Sequence, residues 1–198
     1  MAKGGDVNFK NIWFSPHANG THTETVGHLT EQLVSINEQL KTFFFVAEVI
    51  TIKPIKEGDD FIITEKILKE AITTNAEAII IRTLPNTEEK LTKHYSHTNP
   101  AYLSEAAANF LKNSGVNHLL IDLPSIDKEK DEGALIAHNA FWNTAGEVRK
   151  QATITEFIYV PNSVEDGSYI LNLQIAPFEN DATPSKPVLY KIIYPNEK

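Results

Sequence analysis

AIIIRTLPNTEEKLTKHYSHTNPAYLSEAAANFLKNSGVNHLLID, residues 78–122, decides the fold class. Its two ends, residues 78–82 and 117–122, are short apolar runs bounded by polar and turn residues, so both read as buried strands. Between them Ser104 opens an alanine-rich segment that closes at Asn113-Ser114-Gly115. Serine can accept from an unpaired amide of the first helical turn, and glycine can take the left-handed conformation that ends a helix. Short apolar strands separated by helices imply an α/β arrangement with parallel pairing.

Upstream, residues 43–52 are rich in aromatic and β-branched side chains and read as another buried strand, stopped by Pro54 and by Gly58-Asp59-Asp60. Thr64 is placed to cap a helix that runs through Ile72. Leu33, Ile36 and Leu40 recur at helical spacing and predict a short helix after Thr30. Residues 8–14 read as a strand and residues 15–28 as an irregular polar segment. Downstream, residues 134–142 read as a helix, and residues 152–159, 168–176 and 187–194 as strands. The expected fold is α/β, a mixed sheet with flanking helices and extra antiparallel strands, in one domain over residues 1–198.

The 198 residues include 18 Lys+Arg, 26 Asp+Glu and no cysteine, for a net charge of −8. Without cysteine there is no disulfide framework, no thiolate metal site and no cysteine nucleophile, so any metal is held by nitrogen and oxygen. An acidic chain without a basic patch repels phosphate backbones and anionic membrane surfaces, which argues against nucleic-acid and membrane partners. The first residues lack the apolar stretch of a signal peptide, and the longest apolar run is far short of the ~20 residues of a membrane span. A cytoplasmic protein acting on a small molecule is the expectation.

Three of the seven histidines, His17, His22 and His28, fall within twelve residues together with Glu24. If the backbone after Gly20 is extended, His22, Glu24 and His28 project to one face. Neutral imidazole and carboxylate oxygen at that spacing suit zinc or manganese. Gly20 permits a tight turn beside such a site, and Thr21 can hydrogen-bond a ligand. His94 and His97 lie in a polar loop and read as solvated, whereas His118 begins a strand and reads as structural. Arg82 ends a buried strand and is expected in a structural salt bridge. Asp122 and Asp127 read as loop organisers, and the charged run 127–132 as a solvated mobile loop. Trp13, Phe14 and Trp142 are candidates for an aromatic-binding pocket, with core packing the simpler reading for each. No Gly-x-Ser-x-Gly elbow is present, and Ser125 follows proline in a segment read as a structural loop.

The run from His17 to His28 resembles the signature of the cyclase family of metal-dependent hydrolases, which includes kynurenine formamidase and isatin hydrolase and reads His-x-Gly-Thr-His-x-Asp-x-Pro-x-His. Ile79-Ile80-Ile81-Arg82-Thr83 resembles that family's strand ending in Arg-Thr, and Leu120 to Asp127 its Asp-x-Pro-Ser-x-Asp segment. Tyr169 to Pro177 is similar to the strand that follows. The resemblance implies a swivelling β/β/α-like fold and a two-metal site. His22 and Glu24 would bind one ion, Glu24 would bridge to a second, and His138 with Glu156 would complete it. His28 takes the proton-shuttle position. The family's first histidine falls at Ala18 here, so either a one-residue bulge brings His17 to the metal or that ligand is missing; the irregular backbone that Asn19-Gly20 permits favours the bulge. Glu24 stands for the family's aspartate and Val26 for its proline. The short stretch before His17 suggests an N-terminally shortened member.

The implied activity is hydrolysis of a small amide, an aryl formamide such as N-formylkynurenine or a cyclic amide, by metal-activated water. Zinc is the first expectation for the metal and manganese the alternative. The implied assembly is a homo-oligomer, dimer or tetramer. The competing reading is a non-catalytic metal- or small-ligand-binding protein with the same fold.

Overall fold

The computed structural model describes residues 4–193. In chain order the elements are β1 (His22–Glu24), α1 (Ile36–Gln39), β2 (Phe44–Ile52), β3 (Ile55–Glu57), β4 (Asp60–Ile63), α2 (Glu65–Ala71), β5 (Ala78–Thr83), β6 (Tyr102–Leu103), α3 (Glu105–Asn113), β7 (His118–Ile121), α4 (Ile136–Trp142), β8 (Thr153–Glu156), β9 (Gly167–Asn172), β10 (Ala182–Pro184) and β11 (Val188–Lys191). Single 3-10 turns occur at Val26–His28 and Glu88–Leu91.

An eight-stranded mixed sheet runs in the order β10-β1-β8-β7-β5-β2-β9-β11. Its centre, β8-β7-β5-β2, is parallel, and both wings are antiparallel. The expected α/β class with added antiparallel strands is the observed one. Side chains alternate across the central strands as pleating requires. Ile50, Ile52, Ile79, Ile81, Leu119 and Ile121 meet α2, α3 and α4 through Leu68, Ala107, Leu111, Phe141 and Trp142. Phe45, Ala47, Val49, Ile80 and Leu120 face the opposite way, toward Leu171, Leu173 and Ile36. Thr64 and Ser104 cap α2 and α3 as expected, accepting from Ile67 N and Ala107 N. Among the described residues no helix is long and apolar enough to cross a membrane.

Several expectations are corrected. Residues 8–14 form no strand, and Phe9, Ile12 and Trp13 are 91%, 80% and 92% exposed. A strand needs a neighbour for its amides, and β1, the nearest in sequence, is already paired on both edges by β8 and β10. The helix after Thr30 shrinks to the single turn of α1, because Leu33 is exposed and only Ile36 and Leu40 are buried. Residues 15–28 are not irregular throughout, since β1 lies within them. Gly58, at φ +62°, turns a hairpin between β3 and β4 rather than ending a strand, and β6 joins that hairpin as a small second sheet. The charged run 127–132 is tied down: Lys128 pairs with Asp60 at 2.6 Å, and Glu129 accepts from His97 N and Asn99 N. Of the last predicted strand, Tyr194 lies outside the described residues.

One buried acid holds the sheet to its helical layer. Glu48, in mid β2, accepts from the amides and hydroxyls of both Thr73 and Thr74 at 2.6–3.0 Å. Burial alone would raise its pKa, but those four bonds outweigh burial and hold it below the usual carboxylate range. A depressed folded-state pKa means that this stabilisation is present above the ordinary glutamate value and is lost as pH falls through the folded one. Glu48→Ala is expected to cost about 2–4 kcal/mol in urea unfolding at pH 7, with the difference from wild type shrinking toward pH 3. A pH-independent difference would contradict this role.

Candidate metal centre

A tight turn at residues 15–18, closed by Ala18 N donating to Ser15 O and Ser15 N donating to Asn19, swings His17 inward. Gly20 follows at φ +141°, a conformation that favours glycine, and delivers the chain into β1. In β1, His22 and Glu24 are fully buried on the same side, with Thr23 on the other. β8 pairs with β1 so that Glu156 stands opposite His22. α4 contributes His138 from its first turns.

The side chains converge. Glu24 Oε2 lies 2.8 Å from His17 Nδ1, without the alignment of a hydrogen bond, and 3.8 Å from His22 Nε2. Glu24 Oε1 is 3.1 Å from His138 Nε2, which is 3.6 Å from Glu156 Oε1. Glu24 therefore stands between two donor sets, His17 with His22 and His138 with Glu156, each compact enough to hold an ion. Every sequence-predicted ligand is in the cluster, His17 among them with its Nδ1 turned to Glu24. His28 arrives from the 3-10 turn rather than from the face of β1, with Nδ1 4.0 Å from Glu24 Oε2 and its side chain 30% exposed.

Electrostatics fit a cation site. Burial opposes the charged forms of His17, Glu24 and His138, and the neighbouring charges outweigh it. Asp181 and Glu24 hold the His17 imidazole up at about 10, and Asp127, Glu156 and Glu24 hold His138 well above its ordinary value. His138 and His17 in turn hold Glu24 well below the usual carboxylate range. Two buried atoms, His22 Nε2 and Glu24 Oε2, have no hydrogen-bond partner although both face the centre of the cluster. Buried polar atoms are rarely left so, and an ion ligated there would satisfy both.

Two further acids, absent from the expected ligand set, border the site. Asp127 is a loop organiser as expected, accepting from Ala137 N and His138 N, but it also accepts from His138 Nδ1 at 2.5 Å. Asp181 accepts from His17 Nε2 at 2.7 Å and lies 3.8 Å from His28 Nδ1. It comes from the loop before β10, far away in sequence and outside any motif. The remaining readings sort simply. Arg82 pairs with Asp166 and bonds Thr51, Pro161 O and Val164 O, a structural role. Asp122 organises Thr83 and Lys90, Ser125 accepts from Asp127 N, and His118 bonds Thr153 against Phe45. Trp13 and Phe14 are exposed and outside the core, and the Phe14 ring meets that of Phe178. Trp142 is core, packed at 5.3 Å on His138.

Beside the cluster opens a cleft of about 480 Å³, bordered by His17, Ala18, His94, Tyr95, Ser125 and Phe157. His94 is exposed, as expected of the polar loop. Phe157, directly after Glu156, is held at φ +55°, with its N donating to Leu123 O and its O accepting from Thr21. Its ring sits between those of His22 and Tyr95.

Comparisons agree with this architecture. A predicted metal-dependent hydrolase from Bacillus stearothermophilus superposes with a TM-score of 0.68 at 19% identity, over 94% of this chain and 82% of that one. Isatin hydrolase A from Labrenzia aggregata gives 0.64 at 16% identity, over 94% and 78%. The isatin hydrolase A of Ralstonia solanacearum gives 0.58 at 13% identity, over 87% and 71%. At these identities the likeness is one of fold. No curated protein matches the sequence. The Cyclase family model, however, matches residues 3–128, well over half of the chain and the part that contains β1 and His17, His22 and His28. The protein thus belongs to the cyclase family.

Proposed function

We propose that the protein is a metal-dependent hydrolase that cleaves a small amide, an aryl formamide or a cyclic amide, at the cluster around Glu24. The observation that carries this reading is the pair of buried atoms without an aligned hydrogen bond, His22 Nε2 and Glu24 Oε2, the latter 2.8 Å from His17 Nδ1, at the centre of a histidine and carboxylate cluster. His17, His22 and Glu24 would hold one divalent ion; Glu24, His138 and Glu156 would hold a second. Zinc is the first choice and manganese the alternative, because neither needs sulfur. Such ions supply a Lewis acid for the carbonyl oxygen and lower the pKa of water from about 15.7 toward about 7.

The chain's own residues do the rest. The cleft beside His17 admits a flat carbonyl substrate, and the Phe157 and Tyr95 rings give it an apolar wall. His28, partly exposed at the rim, takes a proton from the attacking water at its Nδ1 and returns it to the leaving nitrogen. Asp127 holds His138 by its far nitrogen, so that Nε2 stays directed at Glu24 and Glu156. The buried Trp142 ring, packed against His138, shields that side of the cluster from bulk water. The reading takes the protein as a cytoplasmic homo-oligomer, dimer or tetramer, acting on a small molecule.

The test is a screen of aryl formamides, cyclic amides and lactones with protein that has been stripped by chelator and reloaded with zinc or manganese. Turnover of an amide by the reloaded protein, absent from the stripped one, is expected. Equal rates in both would contradict the reading, and metal uptake with no turnover of any substrate would favour the non-catalytic alternative.

A further inference from the structure

Each of the three most buried donor histidines shows the same two-sided arrangement. His22 turns Nε2 to the cluster and donates Nδ1–H to Gly20 O at 3.0 Å. His138 turns Nε2 to the cluster and donates Nδ1–H to Asp127. His17 is reversed: Nδ1 faces Glu24, and Nε2–H donates to Asp181 at 2.7 Å. An acceptor on the far nitrogen fixes the tautomer and ring orientation of a ligating histidine and raises its basicity.

The Asp181 loop is built to deliver that carboxylate. Asp181 O accepts from Thr25 N at 3.0 Å, so the residue is locked to the chain just after β1. Asn180 O accepts from Ile36 N, and Glu179 accepts from Ser35 and Asn37, which ties the same loop to α1. Gly27 makes room: a Cβ there would come within 2.8 Å of both Asp181 Cβ and Val34 O. These anchors are independent of the histidines, and all act on the position of one side chain.

We infer that Asp181 is the positioning residue of the metal centre, the carboxylate that lets His17 serve as a ligand although it stands one residue before the family's histidine position. The ring enters from a shifted backbone, and Asp181 sets its angle by holding Nε2 while Nδ1 faces Glu24. The inference rests on the reading of His17 as a ligand.

The experiment measures zinc affinity by competition with a chromophoric chelator for wild type, His17→Ala, Asp181→Ala, Asp181→Asn and the double variant His17→Ala/Asp181→Ala, with circular dichroism to verify the fold. Asp181→Ala is expected to weaken zinc binding about 10–100-fold, the usual effect of removing such a carboxylate, and to add little to the loss in His17→Ala. Asp181→Asn, which keeps an acceptor but not the charge, should fall between. Wild-type affinity in Asp181→Ala overturns the inference, as does a fully additive loss in the double variant, which would mark a contribution independent of His17. If Asp181→Ala does not fold, wild-type affinity in Asp181→Asn overturns it. Unchanged affinity in His17→Ala is a different result, one that removes His17 from the ligand set.

Discussion

His28→Ala is expected to lower amide turnover by about 10²–10⁴-fold while the protein keeps its metal, because a positioned proton carrier contributes on that scale. The separation of the two effects follows from geometry. His28 Nδ1 is 4.0 Å from Glu24 Oε2 and 3.8 Å from Asp181 Oδ2, at the rim of the cluster, and its side chain is 30% exposed. The buried donors His22, Glu24, His138 and Glu156 do not depend on it for a hydrogen bond. Its ring lies 4.3 Å from that of His17 and 5.7 Å from that of His138, close enough to serve a substrate held beside either. Turnover equal to wild type in a metal-loaded His28→Ala protein would remove His28 from the reaction. Loss of metal along with turnover would make it a ligand.

The sequence made the sheet legible where apolar runs were long enough to be buried on both faces. β2, β5 and β7 fall within a residue or two of their expected ends, because strands covered on both sides need unbroken hydrophobic runs. The same reasoning misplaced a strand at residues 8–14, where Phe9, Ile12 and Trp13 supply the composition of a strand but stay exposed outside both sheets. It also missed β10, three residues long and ending in Pro184, which pairs in the sheet with β1. That omission concealed Asp181, because the pairing of β10 with β1 brings the residue to the site. His22 and Glu24 were legible from their spacing alone: two residues apart in an extended segment puts both on one face. His138 and Glu156 came from resemblance, and the parallel β7-β8 pair with α4 between them accounts for how both arrive at Glu24.

The second large effect concerns Glu24, which stands between the two donor sets. A four-ligand zinc site is worth about 10–16 kcal/mol, so one ligand contributes roughly 3 kcal/mol, about a hundredfold in affinity. Glu24 is shared, and Glu24→Gln should weaken both sites by about that factor each, with turnover lost accordingly. The substitution keeps the volume of a fully buried side chain and an acceptor oxygen, so the fold is expected to persist. A variant that loses only one of two ions would show that Glu24 serves a single site.

Metal content measured by elemental analysis, on wild type and Glu24→Gln purified from metal-replete expression and dialysed against a weak chelator, tests the central claim most directly. A two-ion centre bridged by Glu24 predicts two zinc or manganese ions per wild-type chain and fewer than one in Glu24→Gln. Wild-type protein that holds no stoichiometric divalent metal under those conditions would contradict it.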